Sequence, residues 1–220
     1  MSRTLTRNQA RDYYDRFGAR QDDQHFYEDP ATNDLITHAR FSNAQSVIEF
    51  GCGTGRFAHT LLAHHLSDQA TYLAIDQSTT MVKLAQDRLK PFDTRVRVLQ
   101  TNNTLHLSLP SESCDRFISN YVLDLLSDQD IHTLLQEAYR LLQPGGLLGL
   151  VGLTNGFSLS SKIVSRAWNT IHTLRPQWVG GCRPLELHTY LFKPQWRITY
   201  ANKIAPYKIP SEILIALKSG

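Results

Sequence analysis

Short apolar runs alternate along the chain with longer stretches in which apolar residues recur every third or fourth position. That alternation predicts strands and helices in turn, and hence an α/β protein with a mostly parallel sheet. Residues 46–50 read as a first strand, 54–66 as a helix, 71–75 as a second strand and 79–89 as a second helix, two βα units laid end to end. Val96 and Val98 alternate with polar neighbours in a third strand over 95–100, and 115–119 makes a short fourth. Ile131, Leu134, Leu135, Ala138, Leu141 and Leu142 fall at helical spacing within 128–142. Pro144-Gly145-Gly146 then stops that helix, and 147–153 follows as a fully apolar fifth strand.

Beyond Thr154 about 40 residues pass before the next strand-like run, longer than a simple connection. Leu159, Ile163, Val164, Ala167, Trp168, Ile171 and Leu174 repeat at helical spacing there, with Lys162 and Arg166 off the stripe. The helix reads as amphipathic and basic. Two readings stand: the stripe packs on the sheet while the cations face water, or the helix brings an anionic or amphiphilic partner, an anionic membrane included, to the protein. Residues 196–204 and 212–217 read as two closing strands joined through Pro206 and Pro210. No internal repeat and no Gly- or Ser-rich linker divides the chain, so a single domain is expected over 1–220. Its stretches are an N-terminal helical cap (1–44), a core (45–154), an acceptor-side insertion (155–194) and a closing hairpin (195–220).

The composition of the 220 residues, 41% hydrophobic and 20% charged with 12 Gly and 9 Pro, excludes collagen-like, low-complexity and disordered classes. No apolar stretch has the length of a membrane span, and the polar start lacks the apolar segment of a signal peptide, so a cytoplasmic location is expected. Cys52, Cys114 and Cys182 form no CxxC pair, which argues against a disulfide framework or a thiolate zinc site. The nine histidines form no HxxxH or HExxH spacing, and no metal site is expected. The net charge of +3 hides an asymmetry: residues 1–154 carry −4 and residues 155–220 carry +7. A basic tail suits an anionic partner or is a solvated surface.

The chemistry concentrates in Glu49-Phe50-Gly51-Cys52-Gly53-Thr54-Gly55, an acidic residue near the end of a buried strand and three alternating glycines at the mouth of a helix. Glycine permits positive φ and lets a ligand approach the main chain. Such a turn in an open parallel sheet lies where nucleotides bind. Two ligand classes compete, because Gly53-x-Gly55-x-x-Ala58 with Asp76 downstream also satisfies a loose dinucleotide fingerprint. Glu49 separates them. A carboxylate there suits the ammonium end of S-adenosylmethionine and is poorly placed beside a pyrophosphate, while Asp76 can accept ribose hydroxyls from either ligand.

Glu49 to Gly55, then Ala74-Ile75-Asp76-Gln77-Ser78-x-x-Met81, then Leu142-Gln143-Pro144-Gly145-Gly146 together resemble a class I S-adenosylmethionine-dependent methyltransferase. The closest flavour is the methyltransferase type 11 group, with enzymes similar to those of ubiquinone and menaquinone biosynthesis, over about residues 10–154. The resemblance implies a Rossmann-like fold: a seven-stranded, mostly parallel sheet with a C-terminal antiparallel hairpin and helices on both faces. It implies that Glu49 and the loop Gly51, Cys52, Gly53, Thr54 and Gly55 hold the methionine end of the cofactor, that Asp76 grips the ribose, and that Gln77 and Met81 flank the adenine. Where the family has a Gly-Asp-Ala-like run, this chain reads Thr101-Asn102-Asn103-Thr104, so an amide of Asn102 or Asn103 replaces the acid. Asn120 follows the fourth strand as a cofactor contact, with Tyr121 and Asp124 as acceptor contacts; a strand end with a helix cap is the bland alternative. Tyr14 in Tyr13-Tyr14-Asp15-Arg16-Phe17-Gly18 is placed over the sulfonium, unless these aromatics only anchor a helix.

Methyl transfer from a sulfonium is a direct displacement that needs a nucleophile held in line and water kept out. An acceptor of high pKa would be helped by a general base, and Asp124, His106 or His188 could serve; the sequence does not choose, so no catalytic residue is singled out. A small-molecule or lipid-like acceptor is expected. Nucleic acid is not, since no Asn-Pro-Pro-Tyr-like motif and no aromatic-rich basic stripe occur, and the thiols are not clustered as an arsenite-type enzyme requires. A nicotinamide-dependent oxidoreductase and a non-catalytic S-adenosylmethionine-binding protein are the alternatives.

Overall fold

The apolar runs pair side by side in one seven-stranded sheet. In the computed structural model, which describes residues 4–102 and 104–219, the strands are β1 (Ser46–Phe50), β2 (Thr71–Asp76), β3 (Val96–Gln100), β4 (Cys114–Asn120), β5 (Leu142–Leu153), β6 (Trp196–Ile204) and β7 (Ser211–Lys218). Their spatial order is β3-β2-β1-β4-β5-β7-β6. The first five run parallel, and β7 enters antiparallel to both β5 and β6. The helices are α1 (Arg7–Phe17), α2 (His25–His38), α3 (Arg56–His64), α4 (Thr79–Leu89), α5 (Asp128–Leu141) and α6 (Leu159–Leu174).

Both sheet faces are covered. Ile131, Leu134, Leu135 and Ala138 of α5 pack with Ile48, Phe117 and Leu148 in one core. Ala31 and Leu35 of α2, Leu61 of α3 and Ala85 and Leu89 of α4 pack with Val47, Ala74 and Ile118 in the other. Each fully buried Leu, Ile or Phe contributes roughly 1.5–3 kcal/mol, so these rows hold the strand ends in place. The order reverses between β1 and β4, and at that switch point a crevice opens beyond the carboxyl ends of the strands.

Two expectations from the sequence are corrected. The helix ends at Leu141, and Leu142 already pairs with Cys114. The register then skips to Arg116 opposite Leu147, so Pro144-Gly145-Gly146 arches out of β5 as a bulge instead of ending a helix. The second correction concerns α6. Its buried residues are Ser161, Ser165 and His172, whereas Leu159, Ile163, Ile171 and Leu174 are exposed. The apolar stripe is split: Val164 and Trp168 are half-buried beside Leu153 and Pro210, and the rest of it faces outward. No described helix is long and apolar enough to cross a membrane.

Candidate active site

Between Phe50 and Arg56 the chain must reverse from strand to helix, and three glycines make that turn at φ +81 (Gly51), +53 (Gly53) and +76 (Gly55), values that L side chains rarely adopt. The amides of Gly51 and Cys52 both donate to the carbonyl of Ile75, at 2.7 and 2.9 Å. Gly51 is further constrained by space, because a Cβ there would stand 2.1 Å from Cγ2 of Val122. At Gly53 a Cβ would meet nothing within 4 Å: that backbone faces open room. The Gly53 amide donates to Oδ2 of Asp76 at 2.9 Å and the Ser78 amide to Oδ1 at 2.8 Å.

That room is a cavity at the switch point. Of the residues singled out from the sequence, Glu49, Gly51, Cys52, Gly53 and Thr54 line it from the β1 side, Asp76, Gln77 and Met81 from the β2 side, Asn120 and Tyr121 from the end of β4, and Tyr14 from α1. Gly55 does not line it; it caps α3, where a Cβ would press on Ala85 at 3.1 Å. Asn102 is exposed and outside the cavity, whose wall there is Thr101, Thr104 and Leu105. Asn103 lies outside the described residues. Asp124 is fully buried behind the wall rather than on it. Tyr121 takes φ +55, strained for an aromatic residue, and is held by its amide donating to Val151 and its hydroxyl paired with Ser211 at 2.9 Å. Both polar atoms of the Asn120 side chain are buried without a hydrogen-bond partner.

The N-terminal segment closes the crevice through ion pairs and hydrogen bonds that the sequence does not announce. Asp15 on α1 accepts from the Ser78 hydroxyl at 2.6 Å and the Thr80 amide at 3.1 Å, tying α1 to the start of α4. Asp22 accepts from the Thr54 hydroxyl at 2.6 Å and from Arg88 at 2.6 Å, which tethers the turn after α1 to the glycine loop. On α2, Asp29 and Glu28 pair with Arg56, the first residue of α3. Each partner lies far away in sequence, so no local pattern marks it.

Burial governs the carboxylates. It pushes Glu49 up to about 8, with the charge of Asp76 adding and the Tyr72 hydroxyl, donating at 2.9 Å, opposing. It pushes Glu28, which lines the cavity, up to about 7, with Arg56 opposing and Asp29 and Asp124 adding. Asp124 is likewise raised to about 7 by burial; its Oδ2 accepts from Leu153 and its Oδ1 has no partner. The other two proton acceptors suggested by the sequence are elsewhere: His106 pairs with Glu137, and His188 with Glu212 at 2.9 Å. Among the described residues no histidine lines the cavity. Glu186, His188 and Glu212 bring ligand-type atoms within 4.8 Å of one another, but Lys203 already pairs with Glu186, and Leu187 donates to Glu212.

Residues 47–146 match the family model of the Methyltransferase domain. Trans-aconitate 2-methyltransferase of Azoarcus sp. (strain BH72) is 31% identical over 120 residues, 54% of this chain and 44% of that protein. The tRNA N(3)-methylcytidine methyltransferase Mettl2 of Drosophila melanogaster is 28% identical over 126 residues, 56% of this chain and 39% of that protein. The chain thus spans less than half the length of either relative. Among solved structures, N-methyltransferase NodS from Bradyrhizobium japonicum WM9, in complex with S-adenosyl-L-homocysteine, shares the fold at a TM-score of 0.72 and 18% identity, covering 96% of this chain and 99% of that one.

Proposed function

We propose that this chain, which carries a methyltransferase domain of the S-adenosylmethionine-dependent class over residues 47–146, moves a methyl group onto a small-molecule or lipid-like acceptor by direct displacement. One observation carries the reading: Glu49, the bare backbone of Gly53 and Asp76 share the wall of one cavity at the switch point. The unpartnered Asn120 amide on the same cavity is the kind of buried polar group that a bound ligand satisfies.

The residues fit the cofactor. Glu49 would take its ammonium, the loop 51–54 its methionine backbone, Asp76 its ribose, and Gln77 and Met81 its adenine. When bound, S-adenosylmethionine supplies an electrophilic methyl group on a sulfonium. Tyr14, Tyr27, Tyr121 and Leu153 wall the cavity and exclude competing water. Glu28 would take the proton that the accepting atom loses on methylation, the demethylated thioether leaving with the sulfur's electron pair; held near neutrality, it can exchange that proton near pH 7. Among the described residues Arg7 and Arg56 are the only cations of the lining, and Arg56 is already paired with Glu28 and Asp29. That leaves little to hold a polyanion, whose phosphates need cations.

Calorimetry and isotope transfer test this together. Micromolar binding of S-adenosylhomocysteine with none of NAD(H), and transfer of labelled methyl groups into the small-molecule or lipid fraction of an extract, is the expected result. Binding of NAD(H) instead overturns the cofactor assignment. Label appearing in the RNA fraction overturns the acceptor, and binding without any transfer leaves a non-catalytic S-adenosylmethionine-binding protein.

A further inference from the structure

Residues 155–185 contain Lys162, Arg166, Arg175 and Arg183 and not one acidic residue. α6 runs through this stretch and turns Ser161, Ser165 and His172, with the half-buried Val164 and Trp168, to the protein. Ser165 accepts the Gly156 amide at 3.0 Å, and Ser161 accepts those of Phe157 and Ser158 at 3.1 and 2.9 Å, so the hydroxyls of the inner face bind the turn that precedes the helix. Trp168 donates from the same region to the carbonyl of Cys182 at 2.9 Å, and Cys182 lines the cavity.

The outer face is largely apolar, with Ser160 and Thr170 set among its leucines and isoleucines. Leu159 is 85% exposed, Ile163 69% and Leu174 75%. At 3.6 residues per turn, these residues with Ala167 and Ile171 span an arc of about 120°, bordered on one edge by Lys162 and Arg166. Arg175 lies over the ring of the exposed Trp178 just past the helix, its guanidinium carbon 5.1 Å from the ring centroid. Three turns of leucine and isoleucine facing water, edged by cations with long aliphatic stems, are the pattern of a helix lying in the plane of a lipid interface.

We propose that this face of α6 seats on an anionic lipid surface, the apolar arc entering the acyl boundary while Lys162, Arg166 and Arg175 meet lipid phosphates. Charge selects this occupant. A second copy docking antiparallel through the same face would set the basic edge of one helix beside that of its partner, with no acid from 155 to 185 to relieve it. The anionic headgroup supplies the missing charge. The Trp168–Cys182 hydrogen bond then connects the seated helix to the cavity wall. This inference does not rest on methyl transfer.

The test sediments the full chain with vesicles of phosphatidylcholine alone and of phosphatidylcholine with about 30% phosphatidylglycerol, at low and at raised salt. Binding to the anionic vesicles alone, weakened by salt, is expected. K162Q/R166Q lowers the partition about 30-fold, and I163E/L174E abolishes it while S-adenosylhomocysteine binding, read on the same sample, stays at the parent level. Three results overturn the proposal: no sedimentation with anionic vesicles at low salt, sedimentation untouched by I163E/L174E, or a concentration-dependent dimer in ultracentrifugation that I163E/L174E dissolves. Should I163E/L174E fail to fold, the surface pair K162Q/R166Q alone decides, since partition unchanged in that variant removes the electrostatic seat.

Discussion

The backbone amide of Gly53 donates to the carboxylate of Asp76 at 2.9 Å, joining the loop after β1 to the end of β2. The same carboxylate receives the Ser78 amide, so it shapes the loop from beneath as well as facing the cavity. Asp76→Ala removes both roles. Leaving a buried amide unpaired costs about 1–3 kcal/mol of stability, and losing a charged acceptor for the ribose lowers S-adenosylhomocysteine affinity roughly 100-fold. Asp76→Asn keeps one acceptor oxygen and loses about tenfold. Calorimetry together with urea unfolding reads the two effects separately, and parent-level affinity in Asp76→Ala removes Asp76 from the ribose site.

With Glu49 as the proposed seat of the ammonium, cofactor binding should depend on pH. Its folded value of about 8 lies above the ordinary 4.5, so between those values the folded protein holds a proton that the unfolded chain has released. Stability from this group therefore falls as pH rises through that window. An ammonium beside Glu49 favours the ionised carboxylate, so binding expels the proton, and affinity climbs by up to tenfold per pH unit below about 8. Calorimetry near pH 6.5 in two buffers of different ionisation enthalpy should register close to one proton released, and none in Glu49→Gln. A flat affinity profile in the parent protein contradicts the ammonium assignment.

Gly51 and Gly53 differ in what a methyl group would do. Gly51→Ala combines positive φ with a Cβ 2.1 Å from Val122, and overpacking plus backbone strain cost about 2–4 kcal/mol. Gly53→Ala pays only the strain, about 1–2 kcal/mol, but projects the methyl into open room at the cavity. Denaturation and S-adenosylhomocysteine titration should rank the variants in opposite order: Gly51→Ala worse in stability, Gly53→Ala worse in affinity relative to its fold loss. A shared order would mean that Gly53 does not face the ligand.

The succession of strands and the glycine loop were legible because each rests on a local demand: β1, β2, β4 and β5 must be largely apolar to sit between covered faces, β3 at the sheet edge shows its alternation, and positive φ at Gly51, Gly53 and Gly55 requires glycine. Leu142 misled the helix boundary because its apolar character suits the last turn of α5 and the first pair of β5 equally. The orientation of α6 was not legible, since periodicity marks an apolar stripe but not what covers it, and the serines of the inner face read as solvent residues until their capping partners are seen. Glu28 escaped notice for a different reason. It lies on α2, whose apolar residues show little periodicity, and its environment is made by Arg56 and Asp124 from separate segments as well as by its neighbour Tyr27.

Asp22 with Arg88 and Thr54 forms a latch over the glycine loop. Arg88→Ala leaves the Asp22–Thr54 bond and the Arg56 pairs in place, so global stability drops by only about 1 kcal/mol, the worth of a partly exposed pair. The turn at 18–24 opens more often in consequence. Limited proteolysis should cleave there faster in Arg88→Ala than in the parent, with S-adenosylhomocysteine restoring protection. Equal cleavage rates would show that this bond does not hold the segment down.

Glu28 is the one cavity carboxylate whose ionisation can follow a reaction near neutral pH without being committed to the methionine end or the ribose. Burial holds it at about 7, Arg56 prevents a larger rise, and Gln21 and Tyr27 donate to one oxygen, which fixes the side chain against the wall. As a base it must be ionised, so methyl transfer falls as pH drops below about 7. Glu28→Gln keeps the shape and the hydrogen bond to Tyr27 but cannot take a proton. The turnover rate should fall about 10²–10⁴-fold, the limb near pH 7 should vanish, and S-adenosylhomocysteine affinity should change little, since Glu28 is not assigned to the cofactor. Glu28→Asp, a base drawn back by one methylene, should recover part of the rate together with a pH limb. A limb that persists unchanged in Glu28→Gln would place the proton on another group and leave Glu28 as the partner that holds Arg56 to α2.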